Sequence, residues 1–355
     1  MRDAVPPTRH DDVVPGLQTG RPSRRGRRVL VALLAVVLVL LLAVAGTVAY
    51  LTSSIGGGIS RIPDAFRGID AGSRPASFGG TTFLLVGTDS RSSEPTTGSD
   101  ATPGVDAGSQ RSDVIMLGTL APDGEHGSVV SIPRDSWVEI PGRGKNKINA
   151  AYAFGGAPLL IETVENLTGV RVDHFGVIDF AGFTSLVDSV GGIDVTVARA
   201  TSNAGVDFTA GENHLDGGEA LAYVRQRYGL PNGDIDRAAR QQNAIRALLE
   251  KVQEKASTDP AALYAFATSV GDAVSVDDSL SNTGLVQLAL ENRNLRGSGV
   301  AFVTAPVAGL GREGAQSVVY LDDGRAADLW DAVRNGSVAQ YADLNPTEAL
   351  GGTPS

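Results

Sequence analysis

The sequence predicts an α/β domain, a mixed central sheet covered by helices on both faces, carried behind one transmembrane helix. Three observations carry that expectation. Val29 to Leu51 is an uncharged apolar run of 23 residues, long enough as a helix to cross about 30 Å of hydrocarbon. From Thr81 onward, apolar runs of strand length ended by Gly or Pro alternate with segments of helical periodicity. Such interleaving, sustained over about 260 residues, implies a three-layer α/β/α arrangement.

Taken in order, residues 1–28 hold seven arginines and three aspartates, almost no aliphatic side chains, and are expected to be a disordered tail. Their net charge of +4 leaves −14 for the rest of a chain whose total is −10. Arg21, Arg24, Arg25, Arg27 and Arg28 abut the apolar run, so the positive-inside rule keeps this flank cytoplasmic and places everything after Leu51 outside the cell. Ala43-Val44-Ala45 resembles a signal-peptidase site, but the apolar run continues past it, which favours an uncleaved anchor at 29–51 in the cytoplasmic membrane. Residues 52–78, with Gly56 to Gly58 at their start, are expected to be a tether. The folded domain is then expected at 79–340, with a frayed tail at 341–355.

Thr81 to Val86 reads as a buried strand ended by Gly87, delivering Asp89 and Arg91 at its end. Ser92 to Gln110 is a surface loop by composition, and Arg111-Ser112-Asp113 leads into a second strand. Gly127 to Ile132 is a third, broken by Pro133-Arg134-Asp135. Lys147 to Gly169 has helical spacing interrupted at Gly155-Gly156, so two short helices are expected. Val172 to Phe180 is strand-like, Ala181 to Val190 helical, and Ile193 to Val197 a strand. Further helices are expected at Arg237 to Lys255, Pro260 to Val270, Leu280 to Asn292 and Ala326 to Val333, with strands at Val300 to Thr304 and Ser317 to Leu321.

Composition excludes several chemistries. With no cysteine there are no disulfides, zinc-thiolate sites or cysteine nucleophiles. An acidic outer domain argues against a nucleic-acid partner. No G-x-S-x-G, H-E-x-x-H or P-loop is present, and the one G-x-G-x-x-G, Gly309 to Gly314, is followed by a β-like segment instead of a helix, so it is expected to be a hairpin loop.

Tyr223 to Gln242 stands out. It packs Arg225, Arg227, Arg237 and Arg240 into an acidic protein. Arg225 and Arg227 would share one side of an extended segment, and Arg237 and Arg240 would follow Asp236 as helix cap. Cations in a first helical turn oppose the helix dipole unless an anion binds there, so a phosphate site is expected; the bland alternative is a solvated loop pairing with Asp234, Asp236 and Glu219. Asp89 with Arg91, Arg111 with Asp113, and Arg134 with Asp135 recur at strand ends, where α/β sheets build ligand sites. Carboxylates without histidine or cysteine favour a hard ion such as Mg²⁺.

The segments GTDSR (87–91), RSD (111–113), SIPRDSWVEIPG (131–142), KINAAYAFGG (147–156), TGVRVDHFGVIDF (168–180) and YVRQR with GDIDRAARQQ (223–242) resemble the LytR-CpsA-Psr family. The resemblance implies an α/β/α fold with a hydrophobic cleft for a polyprenyl chain. It implies a phosphotransferase that moves a glycopolymer from a polyprenyl-pyrophosphate carrier to a peptidoglycan acceptor, with Mg²⁺, or Mn²⁺ in its place. By the same resemblance, Asp89 and Asp113 match metal-associated aspartates, and Arg91, Arg111, Arg134, Arg225 and Arg227 match pyrophosphate-contacting arginines. Gln241 matches a further phosphate contact. Asp89, Asp113 and Arg134 are the catalytic candidates, and Arg237 and Arg240 are expected phosphate contacts, with Lys147 and Asp234 in support; Lys147, Asp234, Arg237 and Arg240 have loop-ordering as their alternative. Two functional alternatives stay open: a polyprenyl-pyrophosphate pyrophosphatase, and a non-catalytic wall-glycolipid binding or regulatory protein.

Overall fold

The computed structural model describes residues 59–88 and 112–351, all within one compact unit spanning Leu51–Ser355. The expected anchor at 29–51, the loop at 92–110, and Asp89, Arg91 and Arg111 lie outside the described residues. Among the described residues, no helix is long and apolar enough to cross a membrane.

In chain order the elements are β1 (Ser60–Ile62), β2 (Thr81–Thr88), β3 (Ser112–Leu120), β4 (Gly127–Ser131), β5 (Trp137–Ile140), β6 (Gly144–Lys147) and α1 (Asn149–Thr168). There follow β7 (His174–Asp179), α2 (Phe180–Ser189), β8 (Ile193–Val197), β9 (Thr201–Asn203), β10 (Val206–Phe208), β11 (Gly211–Leu215), α3 (Gly217–Arg225), α4 (Asp234–Thr258) and α5 (Pro260–Ala273). The last are β12 (Val274–Asp277), α6 (Asn282–Glu291), β13 (Val300–Thr304), β14 (Val307–Glu313), β15 (Gln316–Leu321), α7 (Asp323–Arg334) and α8 (Val338–Leu344).

Seven strands form one mixed sheet in the order β1-β12-β7-β2-β3-β4-β13. The β1/β12, β7/β2 and β4/β13 pairs are parallel and the others antiparallel. Side chains alternate across it. On one face Leu84, Val86, Ile115, Leu117, Val130, Phe175 and Val177 are buried with Leu160, Ile161 and Val164 of α1 and Leu329, Trp330 and Val333 of α7. On the other, α4 packs over β4 and β13, α2 over β7, and α5 over β12. Helices thus cover both margins of this second face. In its middle, Leu85 of β2 is 38% exposed. Its partner on β7 is Gly176 and its partner on β3 is the buried Met116, with Gly118 the diagonal neighbour on β3; a Cβ added at Gly118 or Gly176 would meet the Leu85 methyl groups at 3.7 and 3.2 Å. The result is an apolar trough in which two of the positions beside Leu85 are glycine. A second, smaller core joins α2, α3, α4, β8 and β11 through Val187, Ile193, Val195, Leu215, Tyr223 and Ala244.

Several expectations are corrected. The described part of the 52–78 stretch is no tether: β1 pairs with β12, and Ala65 is buried in the main core. Nor is the described part of the expected 341–355 tail frayed, because α8 runs to Leu344, Leu350 N donates to Phe302 O at 2.9 Å and Glu348 is buried. The first is held by Ile62, Ala65, Phe66 and Ile69 against the main core and by Arg74 on the buried Glu165, the second by backbone bonds to β13; in neither are the apolar residues spaced with a helical or strand period. The helix at 149–168 is interrupted as expected, with Gly156 at φ 63°, a conformation that β-carbons disfavour. The G-x-G-x-x-G segment is the β14–β15 hairpin.

Candidate active site

The site begins with an irregularity between β2 and β3. Gly87 pairs with Val114 and Thr88 with Ser112, so Asp113 is the extra residue of a β-bulge. Bulges re-aim side chains, and this one carries Asp113 to the wall of a cleft of about 570 Å³. Gly87 permits it: a Cβ there would lie 2.9 Å from Val114 Cβ.

Four arginines line the same cleft, Arg134, Arg225, Arg227 and Arg237. Pro133 ends β4, and the Arg134 carbonyl is then fixed by the amide of Asn149 at 3.2 Å, which leaves the guanidinium hydrogen-bonded to the Asp113 carboxylate. Arg225 is the last residue of α3 and lies over the Phe180 ring at 4.6 Å. Arg227 donates to the Tyr228 hydroxyl at 2.6 Å. Asp234, at the start of α4, stands among three of them, 3.3 Å from Arg237 and 3.8 Å from both Arg134 and Arg227. Among the described residues, four guanidiniums against Asp113 and Asp234 leave an excess of two positive charges. Burial, then the charge of Arg134, pushes the Arg237 guanidinium below its ordinary value, against the pull of Asp234 and Asp113. The Tyr228 hydroxyl pushes that of Arg227 up. Crowded cations in a partly dry cleft are relieved by a bound anion, and planar forks match phosphate oxygens.

Helix α4 begins at Asp234 with Gly233 as cap, not at Arg237 after an Asp236 cap, so Arg237 sits in its fourth position. Asp236 instead accepts from Asn232 N at 2.9 Å. The segment before Arg227 is also not extended throughout, since Arg225 ends a helix and Gln226 alone supplies the extended step.

Arg240 does not reach the cleft. Its side chain is fully buried, donating to Gln226 Oε1 at 2.6 Å and Thr201 Oγ1 at 3.0 Å, with its guanidinium 4.6 Å over the Tyr223 ring. Gln226 in turn donates to Ser202 O and Tyr228 O, both at 3.2 Å. The expected phosphate contact is therefore corrected: Arg240 fixes the residue between Arg225 and Arg227, and aromatic faces supply its environment. Lys147 is also off the cleft wall, 3.0 Å from Asp135. Gln241 lines the cleft and donates to Val224 O at 3.4 Å.

Asp89, Arg91 and Arg111 are outside the described residues, but Thr88 and Ser112, which adjoin two of them, are paired across the sheet. Sequence reasoning missed the apolar part of the wall, Phe180, Val206, Leu221 and Val224, and the aromatic Tyr228. Only Phe180, ending the strand-like run before α2, and Tyr228, beside the arginine pair, carried a signal in the sequence.

Comparison with known proteins bears on the fold and the family. LcpA of Corynebacterium glutamicum, a cell wall biosynthesis protein, is 33% identical over 324 residues, covering 79% of this chain and 62% of that one. TagU of Enterococcus faecalis, named polyisoprenyl-teichoic acid–peptidoglycan teichoic acid transferase, is 40% identical over 188 residues, 53% of this chain and 61% of its own. This chain thus spans less than two thirds of the length of these two curated relatives. The crystal structure of B. subtilis TagV superposes with a TM-score of 0.59 at 25% identity, over 74% of this chain and 99% of that one. The profile of the LytR_cpsA_psr family matches residues 69–335, and the chain belongs to that family.

Proposed function

We propose that this protein is a phosphotransferase that moves a glycopolymer from a polyprenyl-pyrophosphate carrier to a sugar hydroxyl of peptidoglycan. The observation that carries the reading is the convergence of Arg134, Arg225, Arg227 and Arg237 on one cleft with an excess of positive charge. The transferase name of the Enterococcus relative supports the same chemistry. In the reaction, the acceptor hydroxyl oxygen forms a bond to the glycan-bearing phosphorus. The bond from that phosphorus to the bridging oxygen breaks, and polyprenyl monophosphate leaves with the electron pair. The hydroxyl proton passes to a carboxylate, Asp113 of the cleft wall or Asp89. Such transfers need in-line positioning and charge neutralisation more than covalent help. Arg225 and Arg227 grip the pyrophosphate from one segment, while Arg134 and Arg237, tied to Asp113 and Asp234, hold it from the sheet side.

A hard divalent cation fits the residues present. Among the described residues there is no cluster of three or more His, Asp or Glu side chains that could hold a metal ion. Asp113 is at the bulge, however, and the buried Thr88 and Ser112 hydroxyls beside it have no hydrogen-bond partner among the described residues. One or two carboxylates plus substrate phosphate oxygens is the ligation that Mg²⁺ favours, with Mn²⁺ in its place, and Asp113 with Asp89 would hold it. When bound, the ion neutralises charge developing on the pyrophosphate.

The carrier's prenyl chain fits the trough at Leu85, an apolar surface on an otherwise covered sheet face. Residues 29–51 anchor the domain in the cytoplasmic membrane with the cleft outside the cell, near both lipid carrier and wall. The test is to incubate full-length protein with a polyprenyl-pyrophosphate disaccharide, peptidoglycan and Mg²⁺. Wall-linked sugar and polyprenyl phosphate are expected in equal amounts; free phosphorylated sugar alone means hydrolysis, and an intact donor overturns the reading. An active reporter fused after Ser60 only in the cytoplasm would overturn the topology.

A further inference from the structure

The G-x-G-x-x-G segment is not a nucleotide loop, yet it is built into the site. In the β14–β15 hairpin Leu310 pairs with Val319 and Arg312 with Ser317, so these four side chains share one face. Tyr320 lies across Gly311, where a Cβ would sit 2.3 Å from its ring, and donates to Glu313 at 2.8 Å on the other face. The hairpin is tied to the catalytic turn, because Val319 N donates to Asp135 O at 2.9 Å and Ser136 bridges to Val319.

The Leu310 face looks onto a second cavity of about 820 Å³. Arg227 and Tyr228 line both this cavity and the first, so one opens off the other. Phe180, Leu221 and Val224 line only the first. The second cavity pairs exposed carbon surface with polar groups: Tyr228 is 78% exposed and Leu310 69%, beside Arg312, Ser317 and Asn232. A pyranose presents the same two things, a face of C–H bonds and an edge of hydroxyls. An aromatic or aliphatic platform covers the first and polar side chains satisfy the second.

We infer that this second cavity is the acceptor subsite, holding a saccharide of the peptidoglycan glycan strand between Tyr228 and the β14–β15 hairpin. The inference rests on the transfer reading above. In-line displacement brings the nucleophile in opposite the leaving group. The leaving lipid phosphate belongs with the apolar wall of the first cavity, so the hydroxyl enters across Arg227 and Tyr228, where the second cavity begins.

Binding of a peptidoglycan-derived tetrasaccharide to the full-length protein in detergent tests this directly by calorimetry. Saturable binding is expected, weakened about tenfold by the double variant Leu310→Ser, Arg312→Ala, whose side chains are both at the surface. In transfer assays the same variant should raise the KM for acceptor about tenfold and leave the KM for lipid donor unchanged. No binding to the unaltered protein, equal binding to the hairpin variant, or a change confined to the donor KM would overturn the subsite. If the tetrasaccharide binds as described but the lipid donor is never consumed, the transferase reading fails and the saccharide site stands.

Discussion

The two faces of the central sheet differ more than their sequences do. Leu84 and Leu85 are adjacent on β2, one fully buried beneath α1 and α7, the other 38% exposed in the trough. Neither strand composition nor hydropathy separates them. Glycine placement helps to, since Gly176 opposite Leu85 on β7 and Gly118 diagonal to it on β3 withhold side chains, leaving Met116 as its one cross-strand side-chain partner, while Leu117 and Phe175 both fill the opposite face beside Leu84. The chain thus keeps an apolar surface open next to a charged cleft partly by omitting side chains on one face, and gains its stability from the face that omits none.

The sharpest test compares the neighbours. Leu84→Ala should cost about 2 to 5 kcal/mol of stability, as expected for a close-packed site that cannot collapse, whereas Leu85→Ala should cost less than about 1 kcal/mol. Urea denaturation of both variants measures it, and equal costs would mean that the trough is closed in solution.

Next come the groups at the charged mouth. Arg225→Ala or Arg227→Ala should remove about 1.5 to 3 kcal/mol of transition-state stabilisation, roughly ten- to a hundredfold in rate, without the stability loss of Leu84→Ala. Lysine at either position should recover only part, lacking the fork. Asp113→Asn keeps the shape and loses the charge, so most activity should vanish at low Mg²⁺ while the melting temperature holds. Full transfer by any of these folded variants, or transfer that survives chelation, would detach the cleft or the metal from the chemistry.

Filling the trough is a gentler change. A Cβ at Gly118 would meet Leu85 Cδ1 at 3.7 Å, ordinary contact, so Gly118→Val should alter stability by less than about 0.5 kcal/mol. It should nonetheless weaken binding of a polyprenyl phosphate and spare binding of short-chain analogues. Equal loss for both ligands would place the lipid elsewhere.

Much of this was legible beforehand and some was not, for physical reasons. Runs such as Thr81 to Val86 and Val300 to Thr304 announce themselves because both faces of these strands carry mainly apolar side chains, even where one face stays partly open. The strands β6, β9 and β11 are short and polar, and β5 and β10, though mostly apolar, are only four and three residues long, so none carries such a pattern. Arg237 and Arg240 show the limit at the site. They stand three residues apart on one helix, equally cationic in sequence, yet one lines the cleft and the other is enclosed by Tyr223, Gln226 and Thr201. Only the fold of β9, 22 residues before α3 ends, decides which arginine meets solvent. The bulge at Asp113 was equally hidden, because strand alternation predicts a side and a bulge changes it.

The smallest effect is expected where the two faces meet, at the end of β12. Burial alone would push the Asp277 carboxyl up, but bonds from His174, from the Ser279 hydroxyl and from the Phe175 amide hold it below its ordinary value of 3.8. His174 links this anchor to the open face, with its ring 5.3 Å from Phe83, while the amide of Phe175 ties it to the closed one. A carboxyl depressed in the folded state contributes stability that is present above the unfolded value and disappears as pH falls through the folded one. Asp277→Asn should therefore be less stable than the parent protein at pH 5, where the parent carboxylate is ionised. The gap should narrow below pH 3.8 as the parent's own carboxylate takes up its proton. Denaturant midpoints of the two proteins, measured across that range, follow the gap. A gap that stays constant into acid would show that Asp277 holds the sheet end by shape alone, and that its charge does not join the two faces.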